Sequence, residues 1–201
     1  MKLFLSSLGV PKQYEKKLLQ MIGKTPSDVR IAFITTAANP YPKKMQAFTE
    51  KAKKLFDEWQ ATVTYVSLED YRGRPEALEK ILRQNDLIWL AGGNCYYLRY
   101  WMRESGFDQI LPKLLADNVV VAGESAAAMV MGSTIKYAHD LQEPENGPEI
   151  IQDGLGVVDY NIVPHVDSPK HSKEMRKMAD RLKHEGYKTL LLSDEEAIIA
   201  S

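Results

Sequence analysis

A serine set among small residues, Gly123-Glu124-Ser125-Ala126-Ala127-Ala128, follows the β-branched run Val119-Val120-Val121-Ala122. A strand turning sharply into a helix is the setting of a nucleophile elbow of the G-x-S-x-G kind. The turn strains the serine backbone, so both flanking positions must be small. Gly123 and Ala127 occupy those positions here. A helix opening after Ser125 would also offer free backbone N–H groups to a developing oxyanion. Serine is equally an ordinary helix N-cap, so the turn alone does not decide its role.

Its potential partners are scattered along the chain. Gly92-Gly93-Asn94-Cys95 closes another apolar run, and paired glycines at a strand end let backbone N–H groups approach a ligand. Gly93 N–H is then a second oxyanion donor beside Ala126 N–H, and Asn94 is either a substrate contact or the cap of the next helix. Cys95, the single cysteine, has no elbow around it and reads as a small buried hydrophobe. Histidine is the usual base for a serine nucleophile. Among the four, His165 follows an apolar run and Pro164 and is the first candidate, with His139 second. His171 and His184 fall in a charged helix and are expected in solvent. A carboxylate to orient the imidazole has two sources, Asp140 or Asp194 with Glu195 and Glu196 behind it.

The elements that must position these residues alternate. Strands are expected at Lys2–Ser6, Val29–Thr36, Ala61–Leu68, Asp86–Ala91, Val119–Ala122, Val157–Val163, Thr189–Leu192 and Ala197–Ala200. Helices are expected at Lys43–Trp59, Pro75–Gln84, Tyr96–Glu104, Phe107–Asp117 and Ser168–Glu185. Continuous apolar runs mark strands covered on both faces, and repeated strand–helix units give an α/β fold with a mostly parallel central sheet. Ligands bind beyond the carboxyl ends of such strands. That rule selects Thr35–Pro40, Gly92–Cys95, Gly123–Ser125, Pro164–Asp167 and Ser193–Glu196. The segment His139–Gly156 reads as a surface excursion.

Composition narrows the class. The 201 residues suit one domain spanning 1–201. Charged residues balance to a net −1, which gives no electrostatic footprint for nucleic acid or anionic membrane. One cysteine excludes a disulfide framework and a cysteine-rich zinc site. No apolar run reaches bilayer length, the apolar N-terminus is cut short by charges, and a cytoplasmic location is expected.

Taken in order, Gly92-Gly93-Asn94, Gly123-Glu-Ser-Ala, Pro164-His165 and a late Asp194 resemble the dipeptidase E and cyanophycinase family of serine peptidases, as does Phe33-Ile-Thr-Thr-Ala-Ala38. The resemblance spans nearly the whole chain. It implies an α/β/α sandwich related to class I glutamine amidotransferase domains, attack by Ser125 with His165 as base, and either Asp140 or the Asp194 region as acid. It implies no metal or organic cofactor. The family's Gly-x-Ser-Ala-Gly-Ala carries Ala127 at its fifth position here, and its frequent three-glycine loop reads Ala91-Gly-Gly. Where aspartyl dipeptidases place an arginine beyond the histidine, this chain has Lys173, with Arg176 one turn on; lysine lacks the bidentate fork for a substrate carboxylate.

The expected activity is hydrolysis of small peptides through an acyl-enzyme, by a monomer or homodimer. A non-catalytic peptide- or small-molecule-binding protein, or an amidohydrolase or esterase using the same site, are the alternatives.

Overall fold

The computed structural model describes residues 1–138 and 147–200. Its elements run β1 (Lys2–Ser6), α1 (Lys12–Ile22), β2 (Arg30–Ile34), α2 (Met45–Trp59), β3 (Thr62–Val66), α3 (Pro75–Leu82), β4 (Leu87–Leu90), α4 (Cys95–Glu104), α5 (Phe107–Ala116), β5 (Val120–Glu124), α6 (Ala126–Val130), β6 (Asn161–Val163), α7 (Ser172–His184), β7 (Thr189–Leu191) and β8 (Ala197–Ala200). Six strands form one sheet in the order β3-β2-β4-β5-β1-β8, parallel except for the antiparallel edge strand β8. A separate parallel pair joins β6 to β7.

Side chains alternate across the sheet, and each set meets its own helix layer. Leu3, Leu5, Ala32, Ile34, Ile88, Leu90 and Val121 pack with Leu78 of α3, Leu98 of α4, Leu114 of α5 and Met178 of α7. Phe4, Ile31, Phe33, Leu87, Trp89, Val120 and Ala122 pack with Leu18 and Met21 of α1 and Phe56 and Trp59 of α2. Two covered faces are why these strands read as unbroken apolar runs. The result is the expected three-layer α/β/α sandwich.

Register then gathers the chemistry. Gly123 stands level with Leu5 on one side and Leu90 on the other. The segments after β1, β4 and β5 therefore emerge together at one sheet edge: Ser7, Gly92-Gly93 and Ser125.

Four local expectations change. Helix α1, hidden in sequence by Lys12, Glu15, Lys16 and Lys17, fills the β1–β2 crossover and buries Leu18 and Met21. The strand expected at Val157–Val163 shortens to β6, because the Val157 and Val158 N–H groups both turn to the Met131 carbonyl. Helix α7 starts at Ser172, four residues late, since Ser168 and His171 are held in successive turns by the His165 and Ser168 carbonyls. The end of the excursion also folds back: Gly154 and Leu155 donate to the Ser133 and Val130 carbonyls. No helix among the described residues is long and apolar enough to cross a membrane.

Candidate active site

Ser125 sits between β5 and α6 with φ 51° and ψ −114°, a backbone conformation that a residue other than glycine holds only under constraint. Its carbonyl opens α6 by accepting from Met129 N–H, but its side chain makes no capping hydrogen bond. The hydroxyl instead lies 2.9 Å from His165 Nε2, so the simple N-cap role is excluded. His165 also has a positive φ, 58°. Its Nδ1 stands 2.5 Å from Asp194 Oδ1, and an ionised Asp194, which can only accept, assigns the proton to Nδ1 and leaves Nε2 as acceptor for Ser125. The parallel pairing of Val163 with Leu191 brings the two loops side by side. Asp194 is held further by its own N–H, which donates to Asp167 Oδ1 at 2.9 Å.

The glycines fit this turn by sterics. A Cβ on Gly92 would lie 3.0 Å from Ser125 Cβ, and one on Gly93 would lie 2.1 Å from the Ala37 carbonyl oxygen. A Cβ on Gly123 would come within 3.2 Å of Ala127 Cβ. The departure at Ala127 is thus accommodated because the residue facing it has no side chain. Asn94 is fully buried and caps α4, accepting from Tyr97 N–H while its amide donates to the Tyr41 hydroxyl. That capping arrangement holds Asn94 in the core, at the base of the glycine loop.

Comparison with known proteins covers nearly the whole length of the chain. The model of peptidase family S51 matches residues 3–201. The chain belongs to peptidase family S51. It is accordingly a serine-type peptidase, a hydrolase. The uncharacterized peptidase Lin0382 of Listeria innocua is 26% identical over 179 residues, which cover 84% of this chain and 82% of that one. The uncharacterized peptidase PM1590 of Pasteurella multocida is 25% identical over 152 residues, covering 75% and 71%. Among solved structures, a provisional peptidase E from Listeria monocytogenes EGD-e superposes with a TM-score of 0.83 at 21% identity, covering 99% of this chain and 93% of that one. A peptidase from an acI-B1 actinobacterium superposes with a TM-score of 0.65 at 18% identity, covering 99% and 82%.

In this S51 chain the serine opens on a cleft of about 240 Å³, lined by Leu8, Ala47, Phe48, Gly92, Glu124, Ser125, His165, Ser168, His171 and Asp194. Lys173 and Arg176 do not line it. They border a different groove, of about 610 Å³, with Tyr137, Lys177, Asp180, Arg181, His184 and Glu185. Asp140 and His139 lie outside the described residues. Cys95 is fully buried, and burial pushes its thiol pKa up, far from thiolate chemistry. Among the described residues no group of His, Cys, Asp or Glu side chains is arranged to hold a metal ion.

His171, expected in solvent, is instead a wall of the cleft, its ring centroid 6.1 Å from that of His165. Burial, and then the neighbouring His165, hold its pKa below the usual imidazole value. Glu124, the residue before the serine, is the second surprise. It is buried, accepts from Gly9 N–H at 2.6 Å and Trp89 Nε1–H at 3.1 Å, and is pushed up to about 7 by burial against the pull of those donors.

The Glu124 shift has a measurable sign. A carboxyl whose folded pKa is raised favours the fold most below its unfolded pKa. That contribution is lost as pH rises toward the folded value, here from about 4.5 to about 7. His171 acts oppositely, since its folded state resists protonation and loses stability as pH falls. Glu124→Gln isolates the first effect. The stability difference between wild type and E124Q should shift against wild type by on the order of 3 kcal/mol from pH 5 to pH 8. Urea unfolding across that range measures it, and a pH-independent difference would mean that Glu124 stays ionised in the fold.

Proposed function

We propose that this chain hydrolyses small peptides through Ser125, His165 and Asp194. The reading rests above all on the continuous contact from a strained elbow serine through His165 Nε2 and Nδ1 to a carboxylate. Ser125 Oγ attacks the scissile carbonyl carbon as its proton passes to His165 Nε2. The resulting oxyanion is met by the N–H groups of Gly93 and Ala126, the latter at the first position of α6 where no helical acceptor lies behind it. His165 then hands its proton to the leaving amine. Water, deprotonated by the same nitrogen, releases the acyl group and restores the serine. Asp194 keeps Nδ1 protonated and compensates the imidazolium formed in each step.

The cleft also bears on the substrate. Its small volume suits a dipeptide or a short terminal segment better than a folded protein. Leu8, Ala47 and Phe48 offer apolar surface, while Lys173 and Arg176 belong to the other groove. This supports an apolar residue next to the scissile bond over the N-terminal aspartate that a cationic reader would select. The test is a fluorophosphonate probe followed by a dipeptide panel. Labelling is expected at Ser125 alone, and Leu-X and Phe-X peptides are expected to exceed Asp-X at least tenfold in kcat/KM, a ratio one well-filled apolar pocket supplies (roughly 1–3 kcal/mol). Preference for Asp-X would refute the specificity. Cleavage of esters or non-peptide amides but no peptide would refute the substrate class.

A further inference from the structure

We infer that Ser7 is a positioning residue of this site, its hydroxyl fixing Asp194 and the backbone of His165 together so that the imidazole faces Ser125. The inference builds on the Ser125–His165–Asp194 reading. Ser7 is the first residue beyond β1 and is fully buried. Its hydroxyl donates to Asp194 Oδ1 at 2.8 Å and accepts the His165 backbone N–H at 2.8 Å. It also stands 3.3 Å from His165 Nδ1. One hydroxyl has one proton and two lone pairs, so giving the proton to the carboxylate leaves an acceptor for the amide. Both contacts are satisfied at once.

The main chain explains why the serine can do this. Its own N–H donates to the Glu196 carbonyl, which fixes the loop before β8. The preceding carbonyl, of Ser6, accepts the N–H of Ser125 at 3.0 Å. Two residues further on, Gly9 N–H donates to the Glu124 carboxyl. The short stretch Ser6–Ser7, where β1 ends, thus touches the candidate nucleophile, base and acid, which arrive from three different loops. His165, like Ser125, has a backbone in need of support. A positive φ in a residue other than glycine persists only where its surroundings over-determine it, and Ser7 Oγ is the acceptor that its N–H meets. Without that hydroxyl, the strained backbone loses an anchor and Asp194 Oδ1 loses a donor.

A space-filling role and a positioning role differ in what they predict for the imidazole. The variants are Ser7→Ala, which removes the hydroxyl, and Ser7→Thr, which restores it. The readouts are the His165 tautomer by ¹⁵N NMR at neutral pH, the rate of fluorophosphonate labelling at Ser125, and the urea unfolding midpoint. Wild type should show one tautomer, protonated at Nδ1. S7A should show a mixture of tautomers and label roughly ten- to a hundredfold more slowly, as a small misplacement of reacting groups costs, while still folding, with an unfolding midpoint lowered by the two lost hydrogen bonds. S7T should recover most of the labelling rate. If S7A fails to fold, Ser7→Cys, close in size but a poor donor, supplies the same readings. Wild-type tautomer and labelling rate in the hydroxyl-free variant would overturn the inference. An unreactive wild type would instead strike at the proposed hydrolysis, and the tautomer comparison, which needs no turnover, would still decide the role of Ser7.

Discussion

Ser125→Ala is expected to lower kcat for peptide hydrolysis by about 10,000-fold or more, the scale on which loss of a nucleophile acts when base and acid remain in place. The residual rate would come from the oxyanion donors and from substrate binding, which the substitution leaves intact. KM, or the inhibition constant of a product peptide, should therefore stay within about threefold. The fold should tolerate the change well. Only the hydroxyl is lost, its partner His165 Nε2 borders an open cleft, and the side chain caps no helix. Circular dichroism and urea midpoints should match wild type, so that lost activity cannot be assigned to lost structure. Fluorophosphonate labelling should vanish altogether. Retention of near wild-type turnover would remove Ser125 as nucleophile. The Cys95 thiol would not replace it, because it is sealed in the core away from the cleft.

Why the serine was legible while parts of its surroundings were not follows from where each signal resides. The sheet strands announce themselves because both faces are apolar, and the elbow because Gly123, Ser125 and Ala127 are small and adjacent in sequence. Helix α1 was obscured by its four charged residues. Its inner face relies on Leu18 and Met21, and Glu15 is tied down by Trp59 Nε1–H, a partner 44 residues away. The sequence places His171 in the first turn of a solvated helix, yet the turns from Ser168 to His171 carry it into the cleft before α7 begins. Glu124 looks like a polar residue at a strand end; only the packed structure shows its carboxyl enclosed by Gly9 and Trp89. Ser7 did leave a trace. It directly follows a strand at the edge where such folds bind ligands, but nothing local distinguishes it from Ser6. That Asp194 stands against His165 is illegible for a different reason, because it depends on β6 pairing with β7, a contact between segments nearly thirty residues apart.

The choice of acid carries the second large prediction. Asp194→Asn should reduce kcat by about 10,000-fold with little change in KM, while Asp140→Asn should stay within about tenfold of wild type. The reason is the proton on His165. Asp194 Oδ1 now receives Nδ1 at 2.5 Å and the Ser7 hydroxyl at 2.8 Å. An asparagine of the same shape can turn its NH₂ toward the imidazole, which favours the tautomer protonated at Nε2 and leaves no acceptor for the Ser125 proton. The residue would remain in place, the fold would remain intact, and the chemistry would stop. NMR of labelled histidine should then show His165 protonated at Nε2 in D194N and at Nδ1 in D140N. If the kinetic losses came out reversed, with D140N inactive and D194N competent, Asp140 would be the acid. The Asp194 contact would then reduce to a structural link between the loops after β6 and β7.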